Sequence, residues 1–88
     1  MKYYEIHEPY YALLAAEDEN KAVEVYIQRV AEDDGTLRDN IKEVGHLYAL
    51  AAYCKSVGYN EPYITAEEAI KNFENSKNDI LLTDGDLI

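Results

Sequence analysis

The chain is 88 residues long and carries 18 Asp and Glu against 8 Lys and Arg, with nine Tyr, no Trp and a single Cys. That length builds one domain, residues 1–88, burying roughly 60 to 65% of its unfolded surface, and excludes a second core. The lone Cys54 excludes an internal disulfide framework and a cysteine zinc site, an apolar fraction of 48% argues against wholesale disorder, and a net charge of −10 disfavours direct contact with nucleic-acid phosphates or anionic lipid.

Along the chain, Lys2 to Glu8 alternates, with Tyr4 and Ile6 on one side and Tyr3, Glu5 and His7 on the other, which predicts a β-strand. Pro9 removes a backbone donor and breaks the pattern. The next run, Tyr10 to Ala16, is nearly continuous in apolar residues and reads as a second strand covered on both faces, paired with the first or continuing it after a bulge. Asp18 is placed to N-cap a helix with Glu19 in its first turn, and Ala22, Val23, Tyr26, Ile27 and Val30 form its inward stripe until Gly35. Leu37 to Val44 leaves two readings open, since Ile41 and Val44 share one face only in a helix, while the polar content and Gly45 suit a short edge strand, the reading preferred here. Leu47, Leu50, Ala51, Cys54 and Val57 keep helical spacing up to an expected stop at Gly58. Thr65 with Glu68 forms a capping box for a third helix, whose inward residues are Ala69, Ile70 and Phe73. Ile80-Leu81-Leu82, bounded by Asn78-Asp79 and Asp84-Gly85, closes the chain as a strand. The expected fold is α+β, in the order β-β-α-β-α-α-β, a mostly antiparallel sheet packed against helices.

Little in this chain is equipped for catalysis. It has two His, one Cys and five Ser or Thr, with no nucleophile elbow, phosphate-cradling glycine loop or H-E-x-x-H motif. A site built from carboxylates alone needs a cleft and a buried proton donor, for which so short a chain has little room, so no enzyme and no cofactor is expected. Asp79, Asp84 and Asp86 in the tail lack the spacing of a calcium loop and read as an ordinary turn.

The charge itself is the remaining candidate. Glu17, Asp18 and Glu19 lie at the start of the first helix and Glu32, Asp33 and Asp34 at its negative end, just before Gly35. Helix side chains three or four apart lie about 5 to 6 Å from one another, while DNA carries a phosphate charge every ~3.4 Å per strand, so a row of acids can imitate a row of phosphates before a basic channel. Composition alone favours the simpler reading of a solvated face. Tyrosine moves that balance, because nine Tyr against one Phe cannot all be internal, and exposed Tyr beside carboxylates suits an Arg-lined groove through hydrogen bonds and cation–π contacts. Tyr26 is assigned to the core, and Tyr59 and Tyr63 are the expected anchors.

The opening, Lys2-Tyr3-Tyr4-Glu5-Ile6-His7-Glu8-Pro9-Tyr10-Tyr11-Ala12-Leu13, and the close, Ile80-Leu81-Leu82-Thr83-Asp84-Gly85-Asp86-Leu87-Ile88, together about a quarter of the chain, resemble small, acidic, uncharacterised proteins of Gram-positive phages and prophages. Phage proteins of this size and charge include anti-CRISPR proteins and other inhibitors that act as DNA mimics; the likeness to those is in size and charge, and no binding residue carries over. The resemblance implies a cytoplasmic inhibitor in the bacterial host cell, occupying the nucleic-acid site of a basic defence protein, with a CRISPR effector nuclease the foremost partner. Glu17, Asp18, Glu19, Glu32, Asp33 and Asp34 would then be phosphate surrogates. Two alternatives stand beside it: a structural or regulatory phage protein that self-associates as a homodimer through an aromatic face, and a binder that sequesters a small defence signal, which would need Arg29, Arg38, Lys42 and Lys55 to converge.

Overall fold

A computed structural model of the chain describes residues 1–33 and 35–86. Strand β1 (Lys2–Ile6) pairs antiparallel with β2 (Ala12–Ala16), Tyr4 opposite Leu14. Helix α1 (Glu19–Arg29) and a single helical turn, α2 (Leu37–Asn40), lead to β3 (Ile41–Val44), which pairs with the other side of β1. Helices α3 (His46–Asn60) and α4 (Ala66–Asn75) follow, and β4 (Asp79–Thr83) pairs with β2 before a 3-10 turn at Asp84–Asp86. The sheet order is β3-β1-β2-β4, antiparallel throughout.

The period of two in β1 decides the layering. Tyr4 and Ile6 join Leu14, Ala22, Val23 and Tyr26 in a core under α1, while Tyr3 joins Leu13, Ala49, Phe73 and Leu82 in a core under α3 and α4. Both faces of the sheet are therefore covered, and this is why all five residues of β2 are buried. On the second face the Tyr3 and Phe73 rings stack with centroids 4.9 Å apart.

Local chemistry sets the helix starts. The Asp18 carboxylate accepts from the Lys21 amide at 2.8 Å and the Thr65 hydroxyl accepts from the Glu68 amide at 3.1 Å, each satisfying an orphan donor of a first turn. Asn78 adopts a left-handed φ of 49°, which Asn tolerates, and its side-chain oxygen accepts from the Glu17 amide at 3.0 Å, joining the entry to β4 with the exit from β2.

Four expectations need correction. Residues 37–44 are not one strand: Leu37 is buried as part of a helical turn in the α1-side core, and pairing begins only at Ile41. Gly58 does not stop α3, because Ser56 and Val57 are still packed inward and the helix continues until the Glu61 amide donates to Val57 O at 2.7 Å. In α1 the buried edge is Val25, with Ile27 exposed; in α3 and α4, Leu47 and Ile70 face outward. Helix α1 ends at Arg29, so Glu32 and Asp33 lie beyond its last turn rather than in it.

Candidate functional site

The two acidic groups are largely engaged by the protein itself. Glu19 accepts from the Arg38 guanidinium at 3.2 Å, Asp18 caps α1, and Glu17 Oε1 lies 3.4 Å from the Asn78 amide nitrogen. Asp33 Oδ1 accepts from the Gly35 amide at 2.8 Å and the Leu37 amide at 3.3 Å, closing the turn into α2 around Gly35, whose φ of 97° is a glycine conformation. Glu32 is exposed. Asp34 lies outside the described residues.

Tyr59 and Tyr63 belong to the other helical layer, across the sheet from α1. Tyr59 is on the last turn of α3 and 64% exposed; Tyr63, in the connection to α4, is 98% exposed. The structure thus does not bring the five described acids and the two tyrosines into one patch. It gives Tyr63 a different set of acids: the α3–α4 connection forms an open depression of about 670 Å³ whose walls include Asn60, Glu61, Tyr63, Ile64, Glu68 and Asn72. Neither Glu61 nor Glu68 was expected at a binding site: Glu61 stands alone in a loop, and Glu68 was read only as the capping-box partner of Thr65.

The four cations do not converge either. Arg29 pairs with Asp79 at 3.1 Å and Arg38 with Glu19, both beside α1, whereas Lys55 is on α3. Among the described residues no group of three or more His, Cys, Asp or Glu side chains is placed to hold a metal ion, and no helix is long and apolar enough to cross a membrane. Asp79 and Asp84 serve the backbone, Asp79 accepting from the Ile80 amide at 2.8 Å and Asp84 from the Tyr11 amide at 3.2 Å.

The densest polar cluster is one the sequence reading missed. Glu5 points to the α3 side of β1 and is only 6% exposed. Its Oε2 accepts from the Tyr11 hydroxyl at 2.8 Å and the Tyr48 hydroxyl at 2.9 Å, and its Oε1 lies 3.0 Å from the Tyr48 hydroxyl and 3.2 Å from His7 Nε2. Burial and the bond to Glu5 together raise the Tyr11 phenol far above the usual tyrosine range; for Tyr48 the bond to Glu5 is the larger cause and burial the smaller. Both stay protonated donors at neutral pH. The arrangement couples the β1–β2 turn and the start of α3 to the middle strand of the sheet, and its donors and acceptors are spent on one another. The available signal was Glu5 itself, an acid at a core-facing position of an alternating strand, which requires partners if it is buried.

These features define a small α+β domain with helices on both faces of an antiparallel sheet, a phenol-clamped buried carboxylate and an acidic, tyrosine-bearing tip. Residues 1–82 match the family described as the YosH C-terminal domain, and the chain belongs to that family. It is 36% identical over 89 residues to the SPbeta prophage-derived uncharacterized protein YosH of Bacillus subtilis (strain 168), a match covering 100% of this chain and 57% of that protein. The chain therefore spans little more than half the length of this relative. The prophage origin of the relative agrees with the likeness drawn from the two ends of the sequence. No solved structure matches the chain.

Proposed function

We propose that the domain is a phage-encoded, non-enzymatic inhibitor that acts in the host cytoplasm by docking on a basic nucleic-acid-binding defence protein, with a CRISPR effector nuclease the foremost candidate. The observation that carries this reading is the tip of the α3–α4 hairpin: a tyrosine almost entirely in solvent beside a depression walled by Glu61 and Glu68, on a chain of net charge −10. An Arg or Lys of a partner would meet a ring face and carboxylates there, a pairing worth about 0.5 to 2 kcal/mol per contact. The partner's nucleic-acid channel is the kind of surface that supplies such cations in number, and the summed negative field would speed encounter at low salt. The acids flanking α1 contribute to that field as DNA-like charge, with Glu32 the best placed to act as a phosphate surrogate because it caps nothing.

The test is competition. The purified domain is titrated into a complex of labelled duplex DNA with a CRISPR effector nuclease, at low and at high salt. The expected result is displacement of DNA, weakened at least tenfold by Tyr63→Ala with Glu61→Lys and Glu68→Lys, and weakened less by Glu32→Lys. Absence of displacement across a panel of such nucleases, or displacement indifferent to both sets of substitutions, rejects the reading.

A further inference from the structure

Helix α3 is chemically unlike the rest of the surface. It is the longest helix among the described residues, 15 residues, and contains no Asp or Glu, whereas a share of the chain's 18 acids in proportion to its length would be about three. Its inward arc is occupied: Ala49, Ser56 and Val57 are buried, and Leu50, Ala52 and Tyr53 are partly so. Among the described residues its outward arc is left largely exposed. Leu47, Ala51, Cys54 and Gly58, spaced four, three and four apart, form one stripe on that arc. Leu47 is 76% exposed, Ala51 and Gly58 are exposed, and Cys54 is partly exposed. Tyr48, 53% exposed, and Lys55 flank the stripe on one side.

We propose that this face of α3 is an interface with a second copy of the chain, the two helices packing antiparallel about a two-fold axis that passes between Ala51 and Cys54. Charge selects the occupant. Two copies each carrying −10 repel over most approaches, and the approach through α3 sets no carboxylate of either helix against its counterpart. Shape makes the stripe self-complementary, as a two-fold interface requires. With the axis at that position, Leu47 of each copy lies level with Gly58 of the other, a large side chain against a position without one, and Ala51 lies level with Cys54, so that small residues let the helices approach closely. The same symmetry sets Lys55 of one copy within about one helical turn of Tyr48 of the other, on the same side of the seam, where an ammonium can meet a phenol ring. Gly58 thereby has a role that its unfavourable position inside a helix otherwise lacks. The Glu5 clamp, which holds Tyr48 by its hydroxyl, fixes the ring at the seam.

Sedimentation velocity of the full chain over a concentration series tests this, beside Leu47→Glu and Tyr63→Ala variants. The expected result is a dimer that populates with concentration, is lost in Leu47→Glu with unchanged far-ultraviolet circular dichroism, and is kept in Tyr63→Ala. Register is tested by mixing a tagged Ala51→Cys, Cys54→Ser chain with the untagged native chain under mild oxidation, where a tagged-to-untagged disulfide is expected and Leu47→Glu in both chains removes it. A chain still monomeric at about 100 μM, the range above which self-association is weak, overturns the proposal. So does a dimer that survives Leu47→Glu, because its interface lies elsewhere. Neither result bears on DNA displacement, which is read with the Tyr63 and Glu61 variants.

Discussion

Removing the Tyr11 hydroxyl, by Tyr11→Phe, should be among the costliest single-atom changes in this domain. Glu5 is a carboxylate buried on the middle of the sheet, and among the described residues no Lys or Arg pairs with it; its carboxylate is held by hydroxyl donors from Tyr11 and Tyr48 and lies beside His7. A hydrogen bond to a charged group contributes about 1.5 to 3 kcal/mol, twice the neutral value, and an acceptor left dry costs about as much again in desolvation. Tyr11 is the less exposed of the two phenols, so water does not readily take its place, and the expected loss is about 2 kcal/mol. Tyr48 stands half in solvent, and Tyr48→Phe should cost about 1 kcal/mol, because water can refill the site. For a domain of this size each kcal/mol lowers the melting midpoint by about 4 to 8 °C, so Tyr11→Phe should melt roughly 8 to 16 °C below the native protein. Urea titration followed by circular dichroism gives the free energy directly, with the denaturant slope unchanged if only the native state is affected. The double variant should cost more than the sum of the two singles by about 0.5 kcal/mol or more, since the second removal strips Oε2 of its remaining phenol. A loss below about 0.5 kcal/mol for Tyr11→Phe, or strict additivity of the pair, would show that Glu5 is solvated and that the clamp contributes nothing.

The phenols also set an alkaline limit. Tyr3 and Tyr4 are raised mainly by burial, and Tyr11 and Tyr48 by burial and the bond to Glu5; a group whose folded value lies above its unfolded value of about 10 contributes fully below that pH and loses its contribution as pH rises beyond it, at up to about 1.4 kcal/mol per pH unit for each fully suppressed group, with half-exposed Tyr48 counted at a discount. Urea stability should be level from pH 8 to about 9.5 and fall steeply by pH 11, the fall becoming shallower in Tyr4→Phe; a flat profile to pH 11 refutes the burial of these hydroxyls. Phe73→Ala empties a fully buried site stacked on Tyr3 and should cost about 3 to 5 kcal/mol, comparable with the whole stability of a domain of this length, so a cooperative melt persisting above 50 °C would count against the α3–α4 core.

Where the sequence was legible, one local rule had no rival. Alternation in Tyr3, Tyr4, Glu5 and Ile6 fixed the two faces of β1, continuous apolarity marked β2 as doubly covered, and Asp18 and Thr65 announced their helices as side chains able to cap, each followed by acids in the first turn. Legibility failed where two residues competed for one margin of a helix. Val25 and Ile27 sit on opposite edges of the α1 stripe, and only the presence of β2 and β4 beneath decides which turns inward. Gly58 failed as a stop signal because a weak propensity yields to the packing of Ser56 and Val57. The Glu5 cluster was illegible for a stronger reason: its donors come from positions 7, 11 and 48, and nothing local relates Tyr48 to a strand more than forty residues earlier.

The placement of the acids changes what a charge-reversal experiment can mean. A run of carboxylates in a sequence looks like a uniform resource, yet Asp18 and Asp33 are acceptors for backbone amides at a helix start and a turn, and Glu19 is held by Arg38. Replacing Asp18 by Lys removes a cap worth about 0.5 to 2 kcal/mol and sets a positive charge at the positive end of α1, and replacing Asp33 by Lys removes the acceptor that closes the turn into α2. Loss of the proposed DNA displacement in such a variant would therefore report unfolding as readily as a lost contact. Glu32, Glu61 and Glu68 differ in kind: all three are exposed, and no side-chain hydrogen bond or ion pair of theirs is recorded among the described residues. A partner that reads charge must draw on carboxylates the fold has left in water, and these three are among them, with Tyr63 beside two, so that electrostatic recognition can be separated from stability there.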